Sequence, residues 1–261
     1  MNRNWTFMLL VIALFAVVAT AATTREATTV PAATKPSARG TSTDKTSGIT
    51  FIEVRPGAFN MGDGKDAHRV TIDKEFFLAS TVVTQKQWKA VMATEPWKGK
   101  NMTKEGDDFP ATWVTWDDAQ AFCKKLSTAS GQTVRLPTEA EWEYACRAGT
   151  QTKYFFGDSP AKLGDYAWFI DNAYGKKEAY PHEVGKKKPN PWGFMDMHGN
   201  TWEWTADPWS DKQKGTEKAI RGGAFFGDAN SCSVTYRSFS LPTSSINHLG
   251  FRPVREIEAT K

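Results

Sequence analysis

The chain has 261 residues, a formal net charge of +4 and a pI near 8.8. Basic and acidic residues are interspersed, and the densest basic run is only Lys186-Lys187-Lys188, so no nucleic-acid partner is expected, since that needs a sustained basic face. The 11 Trp and 16 Phe suit a fold in which large rings fill the space between irregular loops.

Residues 1–21 read as a secretory signal peptide. Arg3 sits in a leader without acids, residues 7–18 form an apolar run, and Ala19-Thr20-Ala21 offers a cleavage site. The run is too short for a comfortable membrane span. The mature chain is therefore expected to be periplasmic or secreted and free of a membrane span; retention of the segment as an N-terminal anchor is the alternative. Residues 22–48, rich in Thr, Ala, Pro and Ser with Val30 the one large apolar residue, read as a flexible tether. One domain over residues 49–261 remains.

Within that domain, Ile49, Phe51 and Val54 alternate up to Pro56-Gly57, and a second extended stretch follows over residues 58–62, giving two short strands around a turn. Residues 68–79 are another extended candidate, with Val70 and Ile72 on one face. Three helices announce their starts: Thr84, Thr115 and Thr138 each precede, by three residues, a side chain able to close a capping box (Gln87, Asp118, Glu141). The second helix stops near Gly131 and the third near Gly149. Residues 150–215 show no lasting period and read as loops held by rings. Residues 219–226 and 249–254 are strand-like. The class is α+β with low regular content. Three cysteines, Cys123, Cys146 and Cys232, have no metal or redox spacing and allow at most one disulfide.

Several segments together resemble one family, the formylglycine-generating enzymes or sulfatase-modifying factors. They are residues 56–62 (PGAFNMG), 114–119 (VTWDDA) with Phe122-Cys123, 135–145 (RLPTEAEWEYA), 190–204 (NPWGFMDMHGNTWEW), Arg221-Gly222-Gly223 and Gly250-Phe251-Arg252, in the family's order. The resemblance implies a variant of the C-type-lectin-like fold. In members that oxidise a sulfatase cysteine to formylglycine, two cysteines five residues apart follow the Arg-Gly-Gly segment and hold copper, since two soft thiolates fix Cu(I) where one does not. Here the second position is Cys232 but the first is Gly227, and Ala224 and Ser231 replace a Ser and a Tyr beside that site. Copper is therefore not expected.

The resemblance also implies roles for other residues. Asn200 and Glu203 match a segment that holds calcium in the family, and oxygen ligands are what calcium prefers; Asn200 capping a turn and Glu203 pairing with an Arg is the alternative. Cys232 is expected to pack under the Arg-Gly-Gly strand, and Cys123 and Cys146, whose disulfide partners in exported relatives are here Pro253 and Ser238, to act as small hydrophobes. The four His are scattered and expected to be structural. One exported branch without the copper pair matures the siderophore pyoverdine; an enzyme of that kind would use Cys232, Glu203, Arg237, Arg252 or Asp228. Three functions follow, in order of preference: a binding, scaffold or inhibitor module in the cell envelope with a protein, peptide or small-molecule ligand; a periplasmic modifying oxidoreductase; and a formylglycine-generating oxidase.

Overall fold

The computed structural model describes residues 39–210 and 216–257. The predicted signal peptide and residues 22–38 of the predicted tether lie outside them. The end of the tether does not. Strand β1 (Thr41–Thr43) runs antiparallel to β2 (Thr50–Val54), with Ser42 opposite Phe51. Asp44 ties the turn between them, accepting from the Ser47 N–H and hydroxyl at 2.7 Å each. The folded domain thus reaches back at least to residue 39 rather than starting at 49. Composition hid this because an edge strand contributes backbone hydrogen bonds and need bury no large apolar side chain.

The expected strands beside Pro56-Gly57 exist but do not pair with each other. Strand β3 (Gly57–Met61) forms a hairpin with β4 (His68–Ile72), whereas β2 pairs with β5 (Phe76–Ala79). Pro56 has no N–H to give to a ladder, and the chain turns a corner there. The stretch 68–79 likewise divides between two sheets.

All three helix starts carry complete capping boxes. Helix α1 (Gln85–Met92) is capped by Thr84, α2 (Trp116–Ser130) by Thr115 and α3 (Glu139–Arg147) by Thr138. Glu141 returns a 2.8 Å bond to the Thr138 N–H, so each box satisfies two otherwise orphaned donors. Gly131 ends α2 at a φ of 70°; Ala148, at 47°, ends α3 one residue before Gly149.

Two sheets organise the rest. One is antiparallel in the order β1-β2-β5-β13-β6, where β6 is Val134–Arg135 and β13 is Val254–Glu256, so the two ends of the domain close on each other. The other has the order β11-β10-β9-β12, built from β9 (Trp202–Pro208), β10 (Lys218–Arg221), β11 (Arg237–Ser240) and β12 (Leu249–Gly250). Strand β9 falls inside the stretch expected to be loop. Residues Trp202 through Thr205 are all buried, so neither face shows the polar alternation by which a half-exposed strand is read. The remainder of that stretch keeps little regular structure: a short helix α4 (Leu163–Tyr166), a two-residue parallel pair of β7 (Ala167–Trp168) with β8 (His198–Gly199), and single helical turns.

Aromatic rings join the layers. Trp88 of α1 stacks on Phe122 of α2 at 5.5 Å, and Phe251 meets Phe122 edge-on at 5.3 Å. Cys123 and Cys146 lie buried on the inner faces of α2 and α3 as free thiols, as expected of small hydrophobes.

Candidate functional site

Residues 221–237 leave β10, loop over the domain and return into β11. The Arg-Gly-Gly segment begins the loop because only glycine fits there. Gly222 and Gly223 hold φ values of 101° and 81°, and a Cβ on Gly223 would lie 2.8 Å from the Cys232 Sγ. This close approach seals Cys232 beneath the strand, among Tyr154, Leu163, Ala167 and Phe169. Burial pushes its thiol up to about 12, so it stays protonated at neutral pH. His198 donates from Nδ1 to the Cys232 carbonyl at 2.7 Å and stacks on Phe155; burial lowers it to about 4, so the ring is neutral.

Position 227 closes the other end of the same turn. A Cβ built there would lie 2.5 Å from the Ser231 Oγ and 3.2 Å from the Ala224 carbonyl oxygen. The Ser231 hydroxyl is itself tied to the Asp228 carbonyl at 2.8 Å, and the Ser231 N–H to the Asp228 carboxylate at 2.8 Å. Asp228 is thereby a local cap, held below its usual range chiefly by that N–H. The turn is packed around glycine and serine.

Under the loop lies a buried ionic network. Arg252 forms a two-pronged pair with Glu203 (2.7 and 2.8 Å) and gives its other N–H groups to the carbonyls of Ala79, Ser80 and Met195. Trp142 completes the carboxylate at 2.8 Å. A second cluster hangs from α3, where Glu139, Glu143 and Arg147 recur at four-residue intervals on one face. Glu143 accepts from Arg147 (2.8 Å), from Arg221 (2.5 Å) and from the Gly62 N–H (2.8 Å). Glu139 binds the guanidinium of Arg237, which lies 4.8 Å over the Trp209 ring.

Beside this cluster the surface opens into a polar groove of about 480 Å³. Asp63, Arg147, Lys153, Asp158, Tyr236 and Arg237 line it, with Asn230 and Ser233 contributed by the loop that buries Cys232. One loop therefore presents a closed apolar face and an open polar one.

The sulfatase-modifying factor enzyme 1-like domain family matches residues 37–257. The chain belongs to that family. It is 32% identical over 168 residues to the formylglycine-generating enzyme of Bos taurus, covering 56% of this chain and 43% of that enzyme, so it spans less than half of that relative's length. It is also 27% identical over 252 residues to the chaperone protein LppX of Paenibacillus barcinonensis, covering 76% of this chain and 88% of LppX. Among solved structures, Treponema denticola variable protein 1 superposes with a TM-score of 0.74 at 26% identity, over 85% of this chain and all of that one.

Within this sulfatase-modifying-factor frame the expected site residues do not gather into one pocket. Glu203 and Arg252 are sealed together as a clamp; Cys232 is buried on its own; Arg237 alone lines the groove. Asn200 sits in the left-handed region at a φ of 64°. It holds the His182 backbone from both sides, accepting from its N–H at 2.8 Å and donating to its carbonyl at 3.1 Å. Both oxygens of Glu203 face the Arg252 guanidinium, at 2.7 and 2.8 Å. Glu203 thus pairs with an Arg, while the Asn200 side chain bridges to the distant His182 backbone rather than capping a turn. Apart from Arg237, the groove residues were not singled out in the sequence. The spacing Glu139, Glu143, Arg147 was the one available signal, since it puts two acids and a base on one helix face.

Proposed function

We propose that this protein is an exported binding module of the sulfatase-modifying-factor family, one that does not make formylglycine by copper chemistry. The observation carrying this reading is the closed turn at 227–232. Cys232 is a buried thiol raised to about 12, and the space where a second sulfur would start is taken by the Ser231 hydroxyl. Cuprous chemistry needs two accessible thiolates in near-linear array. Export rests on the signal-like residues 1–21 and fits a periplasmic or extracellular ligand, a protein, a peptide or a small molecule. The similarity to a protein named a chaperone accords with a role in binding.

The reading is tested by incubating the purified protein, under oxygen with copper and a thiol reductant, with a peptide from a sulfatase active site. The expected outcome is an unchanged cysteine by mass spectrometry. Aldehyde formation that depends on Cys232 would return the protein to the oxidases.

A further inference from the structure

We infer that the polar groove holds an oxyanion, a carboxylate or phosphate group carried by a small polar ligand, at the unspent nitrogen of Arg147. This deepens the binding-module reading by naming the ligand's chemistry. Arg147 lines the groove yet is only 2% exposed. Its Nε and Nη2 are used by Glu143 and the Gly62 carbonyl, and its Nη1 has no hydrogen-bond partner. A buried guanidinium N–H left unmet carries a desolvation penalty that an anion would remove.

The charge arrangement points the same way. One carboxylate, Glu143, serves both Arg147 and Arg221, while Glu139 serves Arg237 and, at 3.4 Å, Arg221. Three guanidiniums therefore share two carboxylates. Asp207, which accepts from the Glu139 N–H, is pushed toward its neutral form by burial. Two acids also line the groove, each held by a neutral donor: Asp63 accepts from the Thr235 hydroxyl at 2.9 Å and Asp158 from the Lys153 N–H at 2.9 Å. The Lys153 ammonium makes no ion pair among the described residues and lies 5.9 Å from the Tyr154 ring. A buried guanidinium and an exposed ammonium thus line the same groove, two positive charges for one negative group. At about 480 Å³ the groove is larger than one phosphate or carboxylate, leaving room for the body that carries it.

The test titrates the purified protein with inorganic phosphate, with acetate and with chloride as the control for general screening, at low ionic strength. Binding is followed by calorimetry and by amide shifts of residues 151–153 and 233–237. Saturable binding of phosphate or acetate at those amides is expected, and whichever binds more tightly identifies the source of the oxyanion. Lys153→Gln, an exposed change, should weaken it at least about fivefold, the loss expected of one charge-assisted contact. Arg147→Lys should weaken it further; if that variant does not fold, Lys153→Gln still decides the matter. Shifts no different from chloride, or an affinity unmoved by Lys153→Gln, overturn the inference. Copper retention is a separate readout, so a metal-loaded protein with an intact anion site would sink the preceding reading and leave this one standing.

Discussion

The two faces of the loop from Arg221 to Arg237 show how a short segment separates two kinds of chemistry. On one face Cys232 is pressed against Gly223 and ringed by Tyr154, Phe169 and His198, where burial holds the thiol protonated and the imidazole neutral. On the other, Lys153 and Arg237 meet solvent across a groove, and the buried Arg147 that lines it has one guanidinium nitrogen unspent. The dry face has no ionised group to offer a metal. The wet face has an unmet guanidinium donor beside an exposed ammonium. The family's oxidative chemistry would belong to the first, and the oxyanion ligand we propose to the second.

The largest effect that breaks this comparison is expected at Glu143. Glu143→Gln leaves Arg147 and Arg221 facing each other without their shared carboxylate, at an expected cost of about 3–5 kcal/mol in urea unfolding. A loss below about 1 kcal/mol would mean that the cluster is hydrated rather than sealed.

Gly223→Ala strikes the dry face. A side chain at a φ of 81°, 2.8 Å from the Cys232 Sγ, should destabilise by about 2–3 kcal/mol. Adding Cys232→Ala should recover part of that loss, because the two sites share the contact. Strict additivity would show that Cys232 does not pack where described.

The pH dependence sharpens the contrast. His198 falls from 6.5 to about 4 through burial, so the unfolded chain binds a proton that the folded one refuses between those values. Its contribution, at most roughly 3 kcal/mol, is complete above pH 6.5 and lost as pH falls toward 4. Asp196 opposes it: raised from 3.8 to about 6 by burial, its stabilising proton is held below 3.8 and lost as pH rises through 6. Asp196→Asn should therefore steepen the rise in stability between pH 4 and 6.5. An unchanged slope, or a His198 ring that titrates near 6.5 by NMR, contradicts the dry environment.

The smallest effect is at the far end of α3. Thr138→Ala removes one capping box, for about 1 kcal/mol, and should leave phosphate or acetate affinity in the groove untouched. Coupling between the two would show that the groove depends on the helix start.

How much of this was legible in the sequence depended on whether the cause was local. The three Thr-led capping boxes and the glycine stop after α2 follow from neighbours a few residues away, and they were readable; the burial of Cys123, Cys146 and Cys232 was readable only through the family resemblance. Strand β9 was not, because burial on both faces erases its alternation. Strand β1 was not, because its contribution is made by backbone groups. The groove brings Asp63, the stretch 147–158 and the loop 230–237 together from three separate segments, and no spacing along the chain announces that meeting. Glu203 and Asn200 show the converse. Their motif was legible, but the partners that consume their oxygens, Arg252 and the His182 backbone, are set by tertiary packing.

The most direct test of the central claim is a cuprous-ion competition titration of the reduced protein against a chromophoric chelator, beside Cys232→Ser. A single buried thiol facing glycine predicts that neither protein retains a stoichiometric ion and that the two curves coincide. One equivalent of copper held by the parent chain and lost in Cys232→Ser would contradict it.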